Sequence, residues 1–510
     1  MRIIDYSSTK VVLALSLVVI ISFSGCINLK QDELSMKDTL ICGLLRPERF
    51  NPVPITSENA LTIIPNVYET LVEFDANFRI IPALAVSWIN PDNLTWLFSL
   101  RPGVKFHNGE NFTAEDVKFT LENSSYNYYY STIENITIVN EYAIKIRTYT
   151  PSPALPPLTY ECFILCKNAT LEQGFIGTGP YHITGYDPDN YTKLEWFEDY
   201  WGEPPQIKTV YFKAIENTTE RVNALASGEI DIAEYFMDEQ YDEISRNSNI
   251  TMVLYPPLTR FIVGFDMREN GSYAFPDGEN PTADIRVRKA IYQAINVTPL
   301  INGPCKGLAE PISQFITSAV FGYNPEIQRL PYNITESRRL LAEAGYEHGF
   351  NITVDNLGQG YNIQSSVLIK HQLAEVGIHV TLTNLSFIEF EQKVIIERNT
   401  SMYLIGYSVI TIDGGLEYDY FIRSVSENTG EGNSGYYSNQ EVDRMGIEAS
   451  REMIPRTRLQ LLQEGFRIAL VDDVAYVPLF AQKYTSLTAN NVVFTPRGDL
   501  RLIIKDIRLI

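Results

Sequence analysis

Apolar residues recur along the chain with two spacings, one typical of helices and one typical of strands. From Val287 to Ile295 they fall at i, i+3, i+4, i+7 and i+8, which predicts a helix with one face buried in a core. After Gly377 the spacing changes to two, because apolar and polar residues alternate from Ile378 to Leu382, and this predicts a strand. Helical and strand patterns of this kind alternate through the chain, so the sequence predicts a mixed α/β fold.

Cap residues indicate where individual helices begin and end. Thr113 and Thr218 each open a helical pattern, and a threonine side chain can accept a hydrogen bond from the first turn of a helix. Gly228 and Gly345 each follow such a pattern, and glycine readily adopts the left-handed conformation that ends many helices. The sequence therefore predicts one helix after Thr113, one from Thr218 to Gly228, and one from Thr335 to Ala344.

The first 26 residues have the pattern of an export signal. A weakly basic start precedes an apolar run from Val11 to Ile21, which spans about 16 Å as a helix. That length is too short to cross a bilayer and suits a signal-peptide core. The ending Phe-Ser-Gly-Cys at 23–26 resembles the lipobox of exported prokaryotic lipoproteins, in which the cysteine receives diacylglycerol and becomes the mature N-terminus. This resemblance predicts lipidation of Cys26, with an uncleaved N-terminal anchor as the alternative, because Phe23 replaces the usual aliphatic residue.

The charge balance excludes whole classes of partner. The chain has 41 Lys and Arg against 62 Asp and Glu, a formal net charge of −21. DNA and RNA binding depends largely on basic residues that neutralise phosphates, so the sequence predicts no nucleic-acid partner. The same balance argues against a polybasic attachment to anionic lipid.

Asparagine and cysteine usage agree with export. The sequence contains 14 Asn-x-Ser/Thr acceptor sites, which favours a glycosylated surface, although Asn296 is excepted because it falls inside a helical pattern. With Cys26 lipidated, an even number of cysteines remains, which allows two disulfides in three pairings. These remaining cysteines are Cys42, Cys162, Cys166 and Cys305.

Catalytic and metal-binding motifs are weak in this sequence. The segment at 432–435 resembles a serine nucleophile loop, but it lies in a polar turn of a chain that has five histidines to act as bases. His371 and Glu375 are one helical turn apart, which is typical of an exposed pair. A zinc site at Cys162 and Cys166 is not favoured, because no histidine neighbours them. The sequence therefore predicts a protein that is not an enzyme and that holds no metal or cofactor.

Several longer segments resemble one family, the family 5 extracellular solute-binding proteins of peptide and nickel ABC importers. The most characteristic segment is RPGVKFHNGENFTAEDVKFTLE at 101–122, a short strand, a turn and a capped helix. Further matching segments follow in the family's order: YETLV (68–72), PALA (82–85), GTGPYHITGYDP (177–188), ERVNALASGEIDI (220–232), DIRVRKAIYQAIN (284–296), FGYNPE (321–326), LLAEAGY (340–346) and GYYSNQEVD (435–443). On these segments the chain is identified as a member of the family over roughly residues 38–485.

The resemblance implies a bilobal, periplasmic-binding-protein-like α/β fold (type II, cluster C) that closes on its ligand. An extra domain is inserted into one lobe of that fold. The implied division of the chain is a lipoprotein signal peptide at 1–25, a tether at 26–37, lobe one at 38–66, 172–255 and 476–510, an inserted domain at 67–171, and lobe two at 256–475.

The resemblance also implies a function, that of an extracytoplasmic receptor of an ABC importer. Such a receptor closes around a small solute, here expected to be a peptide or a peptide-like molecule, and delivers it to the permease subunits. Its expected place is the outer face of the cytoplasmic membrane, where the lipid on Cys26 anchors a monomer. A receptor for a sugar or a nickel chelate, and a sensory receptor on the same fold, are the alternatives.

Candidate ligand contacts follow from one motif of the peptide receptors. Their Gly-Trp-x-Ala-Asp segment lines the cleft, where the Asp pairs with the α-ammonium group of the peptide and the Trp packs beside it. This chain has Gly-Tyr-Ser-Val-Ile at 406–410, so Tyr407 keeps an aromatic wall, Ser408 follows it, and Ile410 replaces the Asp. The missing Asp favours a ligand that lacks a free ammonium group, because losing a charge-assisted pair in a dry cleft costs a few kcal/mol. The alternative is a shifted loop that brings Asp413 or Asp419 to the same place.

Three further residues are predicted to contact the ligand. Arg46 and Phe50 lie near the end of a predicted strand of lobe one, and Arg260 lies near the end of a predicted hinge strand. A guanidinium group matches a carboxylate with two parallel hydrogen bonds, so Arg260 is the predicted anchor for a ligand carboxylate. The alternative for Arg260 is a surface ion pair.

Overall fold

The computed structural model places most of the chain. The residues it describes are 3–5, 38–45, 60–75, 78–123, 132–170, 174–233, 244, 246–269, 275, 278–358, 360–408 and 413–510. The predictions for Cys26, Arg46, Phe50 and Ile410 lie outside the described residues.

The helices begin and end close to the predicted cap residues. The helix after Thr113 begins at Ala114, and the Thr113 hydroxyl accepts a hydrogen bond from an amide of the first turn. Asn217, one residue before Thr218, caps the next predicted helix, and Gly228 ends it in the left-handed conformation with φ 78°.

The described α-helices are α1 (Ala60–Val67), α2 (Ala114–Asn123), α3 (Leu155–Leu158), α4 (Thr218–Ser227), α5 (Ile285–Ala294), α6 (Val297–Asn302), α7 (Ile334–Glu343), α8 (Gly360–Ala374), α9 (Phe387–Phe390), α10 (Gly414–Glu417), α11 (Gln440–Ala449) and α12 (Pro455–Arg467). Over the described ranges, none of these helices has both the length and the apolar character that crossing a bilayer requires.

The strands form one large sheet and three small ones. They are β1 (Ile3–Asp5), β2 (Thr39–Leu44), β3 (Val72–Phe74), β4 (Ile80–Pro82), β5 (Ala85–Asp92), β6 (Thr95–Leu100), β7 (Ile133–Asn140), β8 (Ala143–Thr148), β9 (Tyr181–Asp187), β10 (Tyr191–Trp196), β11 (Thr209–Ala214), β12 (Ile232–Ala233), β13 (Ile250–Phe265), β14 (Ala309–Pro311), β15 (Phe350–Leu357), β16 (Ile378–Leu385), β17 (Met402–Ser408), β18 (Tyr476–Ala489), β19 (Val492–Val493) and β20 (Arg508–Leu509).

The large sheet contains strands of both predicted lobes. Its order is β16-β15-β17-β13-β18-β12-β2-β11-β10-β9, with β14 paired to β18 and β1 paired in parallel to residues 252–254 of β13. The inserted domain has its own antiparallel sheet, in the order β5-β6-β8-β7. Mixed pairing of this kind confirms the predicted α/β class.

Two long strands, β13 and β18, pass through both halves of the large sheet. In lobe two, residues 259–265 of β13 pair with β17, and in lobe one, residues 487–488 of β18 pair with β12. The pairing of β13 with β18 is irregular between Leu254 and Thr259, around Pro257. Proline cannot donate to the ladder, so the sheet is interrupted where the chain passes from one half to the other.

Buried apolar side chains form separate cores in the three regions. Phe98 belongs to a core of the inserted domain. Ile291 and Phe466 belong to cores on the two sides of the lobe-two half-sheet, and Phe212 and Ile230 belong to cores of lobe one. Regions that have their own cores behave as domains, while the boundaries given above stay predictions.

Two details differ from the sequence-based expectations. Asn296 is not inside a helix, because α5 ends at Ala294 and the Asn296 side chain caps α6 by accepting a hydrogen bond from the amide of Thr298. The cysteines of the described chain are buried thiols that no disulfide joins: Cys42, Cys162, Cys166 and Cys305.

Candidate ligand-binding site

The candidate site lies where the half-sheet of lobe two meets the two long strands. β15 is parallel to both β16 and β17, so the carboxyl ends of these three strands lie at one edge of the sheet. Tyr407 and Ser408 end β17 and pair with Arg260 and Thr259 of β13. Ligands of open α/β sheets bind outside the carboxyl ends of the strands. This edge brings the predicted contact residues Arg260 and Tyr407 together on one face of the sheet, while Ser408 points to the other face.

Three hydroxyl groups meet at this edge. The Thr259 hydroxyl lies 2.8 Å from the Ser408 hydroxyl and 2.7 Å from the phenol oxygen of Tyr484 in β18. All three side chains are half-buried. Hydroxyl groups can both donate and accept, so this cluster links three strands and still offers polar groups to a ligand.

Arg260 is a buried cation on the opposite face of the sheet from these hydroxyls, because consecutive residues of a strand point to opposite faces. Its side chain is 1% exposed, and its Nε and Nη1 nitrogens have no hydrogen-bond partner among the described residues. Its Cζ atom lies 5.7 Å from the centre of the Tyr407 ring, so the ring face contacts the charge. Burial lowers the pKa of Arg260, while Tyr407 and Glu417 act in the opposite direction. An arginine remains charged under such conditions, so this site holds a cation whose donors are only partly used.

Tyr407 is held by an aromatic cluster. Its ring lies 4.5 Å from that of Phe421 and 6.1 Å from that of Phe315, measured between centroids. Its hydroxyl donates to the carbonyl of Phe315 at 3.5 Å, a long hydrogen bond. Burial raises the pKa of Tyr407, so the phenol stays neutral. The predicted aromatic wall is therefore rigid and uncharged.

Glu417 is a buried carboxylate that the sequence reasoning missed. It is 9% exposed and lies at the end of the short helix α10. Burial raises its pKa to about 7, while the charge of Arg260 acts to lower it. The sequence offered one signal, an acidic residue shortly after the cleft motif, but Asp413 and Asp419 share that property.

The two aspartates that the sequence singled out have arginine partners. The Asp413 carboxylate accepts two hydrogen bonds from Arg458, both 2.6 Å long, and also accepts one from the amide of Gly415. Asp419 pairs with Arg423 at 3.1 Å. Asp413 therefore closes a buried ion pair and caps a helix, and a ligand contact by either aspartate stays a prediction.

A groove of about 530 Å³ lies between the inserted domain and lobe two, and Arg260, Tyr407 and Glu417 are not among the residues that line it. Residues 150–158 of the inserted domain contribute one wall, and Leu416, Asp419 and Arg458 belong to the other. The groove therefore faces two regions of the molecule, and its lobe-two wall carries the immediate neighbours of Glu417 in the sequence.

A second cavity, of about 420 Å³, lies between lobe one and the inserted domain. The guanidinium of Arg497 in its wall pairs with Glu73 at 3.0 Å. Another wall residue, Glu69, accepts hydrogen bonds from Tyr200 and Trp201, each 2.9 Å long. The charged side chains named here already have partners within the protein, in contrast to Arg260.

The described residues include no cluster of three or more His, Cys, Asp or Glu side chains arranged to hold a metal ion. The serine of the 432–435 turn is fully buried, and Asn433 beside it donates to the carbonyls of Arg423 and Tyr437. That turn is therefore part of the packing of lobe two.

Comparison with known families places most of the chain in one of them. The family model described as bacterial extracellular solute-binding proteins, family 5, middle region, matches residues 79–428. The matched segment contains Arg260, Tyr407 and Glu417.

Curated relatives match nearly the whole chain. The glutathione-binding protein GsiB of Pectobacterium atrosepticum is 27% identical over 480 residues, covering 89% of this chain and 91% of that protein. The glutathione-binding protein GsiB of Escherichia coli (strain K12) is 25% identical over 481 residues, covering 89% of this chain and 91% of that protein.

Solved structures of similar proteins share the fold. The ABC transporter substrate-binding protein CtaP of Listeria monocytogenes has a TM-score of 0.81 at 20% identity, covering 93% of this chain and 100% of that one. NikA of Brucella suis, in complex with Fe(III)-EDTA, has a TM-score of 0.80 at 20% identity, covering 92% and 100%. The periplasmic binding protein DppA of Helicobacter pylori, in complex with the peptide STSA, has a TM-score of 0.70 at 22% identity, covering 93% and 98%. At these identities the likeness establishes the bilobal fold.

Proposed function

The chain belongs to the family 5 extracellular solute-binding proteins of ABC importers, and on that premise we propose that its ligand is a small peptide-like solute with at least one carboxylate. The observation that carries this proposal is Arg260, a buried guanidinium with unused donors beside Tyr407 at the junction of the two lobes.

The physical argument concerns the cost of burying an unsatisfied charge. A buried donor without a partner costs about 1–3 kcal/mol, and more when it is charged. A ligand carboxylate would remove that cost at Arg260, because guanidinium and carboxylate form two parallel charge-assisted hydrogen bonds. A neutral sugar would leave the charge without a counterion, so Arg260 favours an anionic group on the ligand.

The ligand class is also supported by the relatives. Two curated relatives that match about nine-tenths of the chain are named glutathione-binding proteins. Glutathione is a tripeptide with two carboxylates and one ammonium group, so its chemistry fits the predicted anchor. We propose a peptide of about this size as the ligand class.

Closure of the lobes would couple binding to delivery. β13 and β18 pass through both halves of the large sheet. The hydrogen-bonded hydroxyls of Thr259 and Tyr484 join these two strands next to the point where they leave one half and enter the other. A ligand on Arg260 that also contacted lobe one would stabilise the closed state, because only that state contacts it from both sides. The permease could then distinguish a loaded receptor from an empty one.

Several finer features belong to the same proposal. The receptor is exported, anchored by a lipid on Cys26, N-glycosylated and monomeric, and it transports its ligand without chemical change. Ser408 contributes a polar contact, and Arg46 and Phe50 contribute contacts from lobe one. Asp413 is retained from the sequence as a candidate contact, although its ion pair with Arg458 supports a structural role.

Titration calorimetry with the purified mature protein tests the ligand class. Glutathione, a panel of di- and tripeptides and a panel of oligosaccharides are the probes. We expect micromolar or tighter binding of at least one peptide, and a loss of about 100-fold or more in Arg260→Met, because that change removes a buried charged anchor. Arg286→Met is the matched control, because Arg286 is exposed and pairs with Asp284. Binding of sugars alone, or unchanged peptide affinity in Arg260→Met, would contradict the proposal.

A further inference from the structure

The side chain of His107 joins the inserted domain to lobe one. His107 belongs to the inserted domain, while the two residues that its ring contacts by hydrogen bonds, Gly177 and Gly179, belong to lobe one. We propose that the neutral His107 ring holds the inserted domain on lobe one and that protonation of the ring releases it. This inference goes beyond the proposed function, because it concerns how two regions of the receptor are held together and does not depend on the ligand.

The first step is that each ring nitrogen of His107 has a different role. The Nδ1 atom accepts a hydrogen bond from the amide of Gly177 at 3.2 Å, and the Nε2 atom lies 3.0 Å from the carbonyl oxygen of Gly179. A carbonyl oxygen accepts and does not donate, so Nε2 carries the proton and Nδ1 carries the lone pair. These two hydrogen bonds, called the His107 bridge below, therefore require the neutral ring with its proton on Nε2.

The second step is that the partner segment of lobe one is fixed in place. The amide of Gly179 donates to the carbonyl of Val67, the last residue of α1, at 2.9 Å. A Cβ atom added at Gly177 would overlap the carbonyl oxygen of Val67, and one added at Gly179 would lie 2.6 Å from the carbonyl carbon of Val67. Backbones approach this closely only where a residue has no side chain. The glycine segment is therefore held against α1 and cannot move aside when the His107 ring changes.

The third step is that a second proton breaks the bridge. Both nitrogens of an imidazolium ring are donors, so a protonated Nδ1 would face the N–H group of Gly177 and lose its hydrogen bond. The ring also packs against Phe197, with 4.9 Å between the ring centroids. Burial lowers the pKa of His107 to about 4, while the hydrogen bond to the carbonyl of Gly179 acts in the opposite direction. The bridged state therefore excludes a proton that an exposed histidine would bind at about pH 6.5.

The titratable groups around His107 do not compensate a positive charge on its ring. The ring of His182 in β9 lies 5.9 Å from that of His107, and its charge lowers the pKa of His107 further. Burial lowers the pKa of His182 as well, while Glu195, which pairs with it from β10, raises that pKa. Lys105 and Asp199 lie two residues from His107 and Phe197 and pair with each other at 2.7 Å. Among the described residues, no carboxylate acts on the charge of His107.

The bridge should weaken as the pH falls. The released ring binds a proton below about pH 6.5 and the bridged ring only below about pH 4, so acid favours release across this interval. Between pH 7 and pH 4, the equilibrium constant for forming the bridge should fall by about 100-fold. The inserted domain supplies residues 150–158 of the groove that faces lobe two, so release would also free one wall of that groove.

Nitrogen NMR of the wild-type mature protein, labelled with ¹⁵N-histidine, tests the bridge directly. We expect the ring of His107 to carry its proton on Nε2 at pH 7 and to titrate with a midpoint near pH 4. The resonances are assigned by their loss in His107→Asn, and those of His182 by their loss in His182→Gln. A proton on Nδ1 at pH 7, or a midpoint near 6.5, the usual value of an exposed histidine, would overturn the proposal.

Denaturation between pH 7 and pH 4 tests the energetic consequence. His107→Asn keeps an acceptor for the amide of Gly177 and does not titrate in this interval. His348→Asn is the matched control, because the side chain of His348 is 93% exposed. We expect the folding equilibrium constants of wild type and His348→Asn to fall about 100-fold more over this interval than that of His107→Asn. Parallel profiles for the three proteins would overturn the proposal.

A pair of spin labels reports on the junction itself. Lys145 of the inserted domain and Asp189 of lobe one are exposed, and each can be replaced by a labelled cysteine, because the described native cysteines are buried. The distance between the labels should be narrowly distributed at pH 7, broaden at pH 4 in the wild-type background, and stay narrow at pH 4 in His107→Asn. A narrow distribution at pH 4 in the wild-type background, or equal broadening in both, would overturn the release. The proposed ligand class is unaffected by either result.

Discussion

Lobe two buries two sets of oppositely charged residues, and only one of the two sets forms an ion pair. Asp413 and Arg458 are both buried and form a bidentate ion pair, with both hydrogen bonds 2.6 Å long. Arg260 and Glu417 are also buried and lie in the same lobe, but the described residues show no ion pair of 4 Å or less between them. A closed buried pair satisfies itself, while an open one retains a cost that a ligand can remove. We infer from this comparison that the paired charges of this lobe stabilise the fold, and the role of Arg260 in ligand binding stays a proposal.

The largest expected effect comes from breaking the closed pair. Arg458→Met should lower the free energy of unfolding by about 3–5 kcal/mol, because it leaves the Asp413 carboxylate buried and unpaired. Urea denaturation followed by circular dichroism measures the change. Arg467→Met is a suitable control, because Arg467 is partly exposed and its ion pairs contribute little. A loss below about 1 kcal/mol in Arg458→Met would show that this pair is not structural.

The free energy of unfolding of the ligand-free protein should depend on pH through the carboxyl group of Glu417. The pKa of Glu417 is raised in the folded protein from its usual 4.5 to about 7. The folded state therefore binds more protons than the unfolded state between these values, and the stability contributed by this group is lost as pH rises from about 4.5 to 7. The loss is at most about 3 kcal/mol. Denaturation at pH 5, 6, 7 and 8 measures it, and Glu417→Gln should remove this part of the pH dependence. The same profile in wild type and Glu417→Gln would contradict the assignment.

Removing the cation of the open pair should change binding far more than stability. In Arg260→Met the unfolding free energy should stay within about 1 kcal/mol of the wild type, or rise, because an unsatisfied buried charge is replaced by an apolar side chain. Ligand affinity should meanwhile fall by about 100-fold. Denaturation and calorimetry on one preparation measure both quantities. A stability loss as large as that of Arg458→Met would erase the distinction between the two pairs.

The smallest effect concerns the hydroxyl cluster at the crossing of the long strands. Thr259→Val removes the hydrogen bonds to Ser408 and Tyr484 and should cost about 1 kcal/mol of stability. Thr335→Val, at an exposed helical position, is the control. An affinity loss as large as that of Arg260→Met would instead make the cluster a principal ligand contact.

Sequence reasoning predicted the local features of the fold, while its ligand contacts stay predictions. Helix caps such as Thr113 and Gly228 were predictable because their signals lie within a few residues of the helix they mark. The helix that was expected to include Asn296 shows where this reasoning fails. The apolar spacing after Ala294 is the same whether one helix continues or, as here, a second short helix begins with Asn296 as its cap. Arg260 was expected near the end of a hinge strand and instead lies inside the long strand β13, paired with Tyr407, while its role as a ligand anchor stays a prediction.

The choice among the three acidic residues was not predictable from sequence. Asp413, Glu417 and Asp419 lie within seven residues of each other, and their roles depend on which arginine reaches them. Arg458 is 45 residues away from Asp413 in the chain, and only the packing of α12 beside α10 brings them together. The partners of these acidic residues thus depend on tertiary contacts that no local pattern encodes.

The most direct test is a crystal structure of the protein with a bound tripeptide identified by calorimetry. The expected result is a ligand carboxylate within hydrogen-bond distance of the Arg260 guanidinium. The ion pair of Asp413 with Arg458 should be unchanged in that complex. A peptide bound with Arg260 still unpartnered, or with Asp413 released from Arg458 to bind the ligand ammonium, would contradict the division of these charges into a structural pair and a ligand-binding cation.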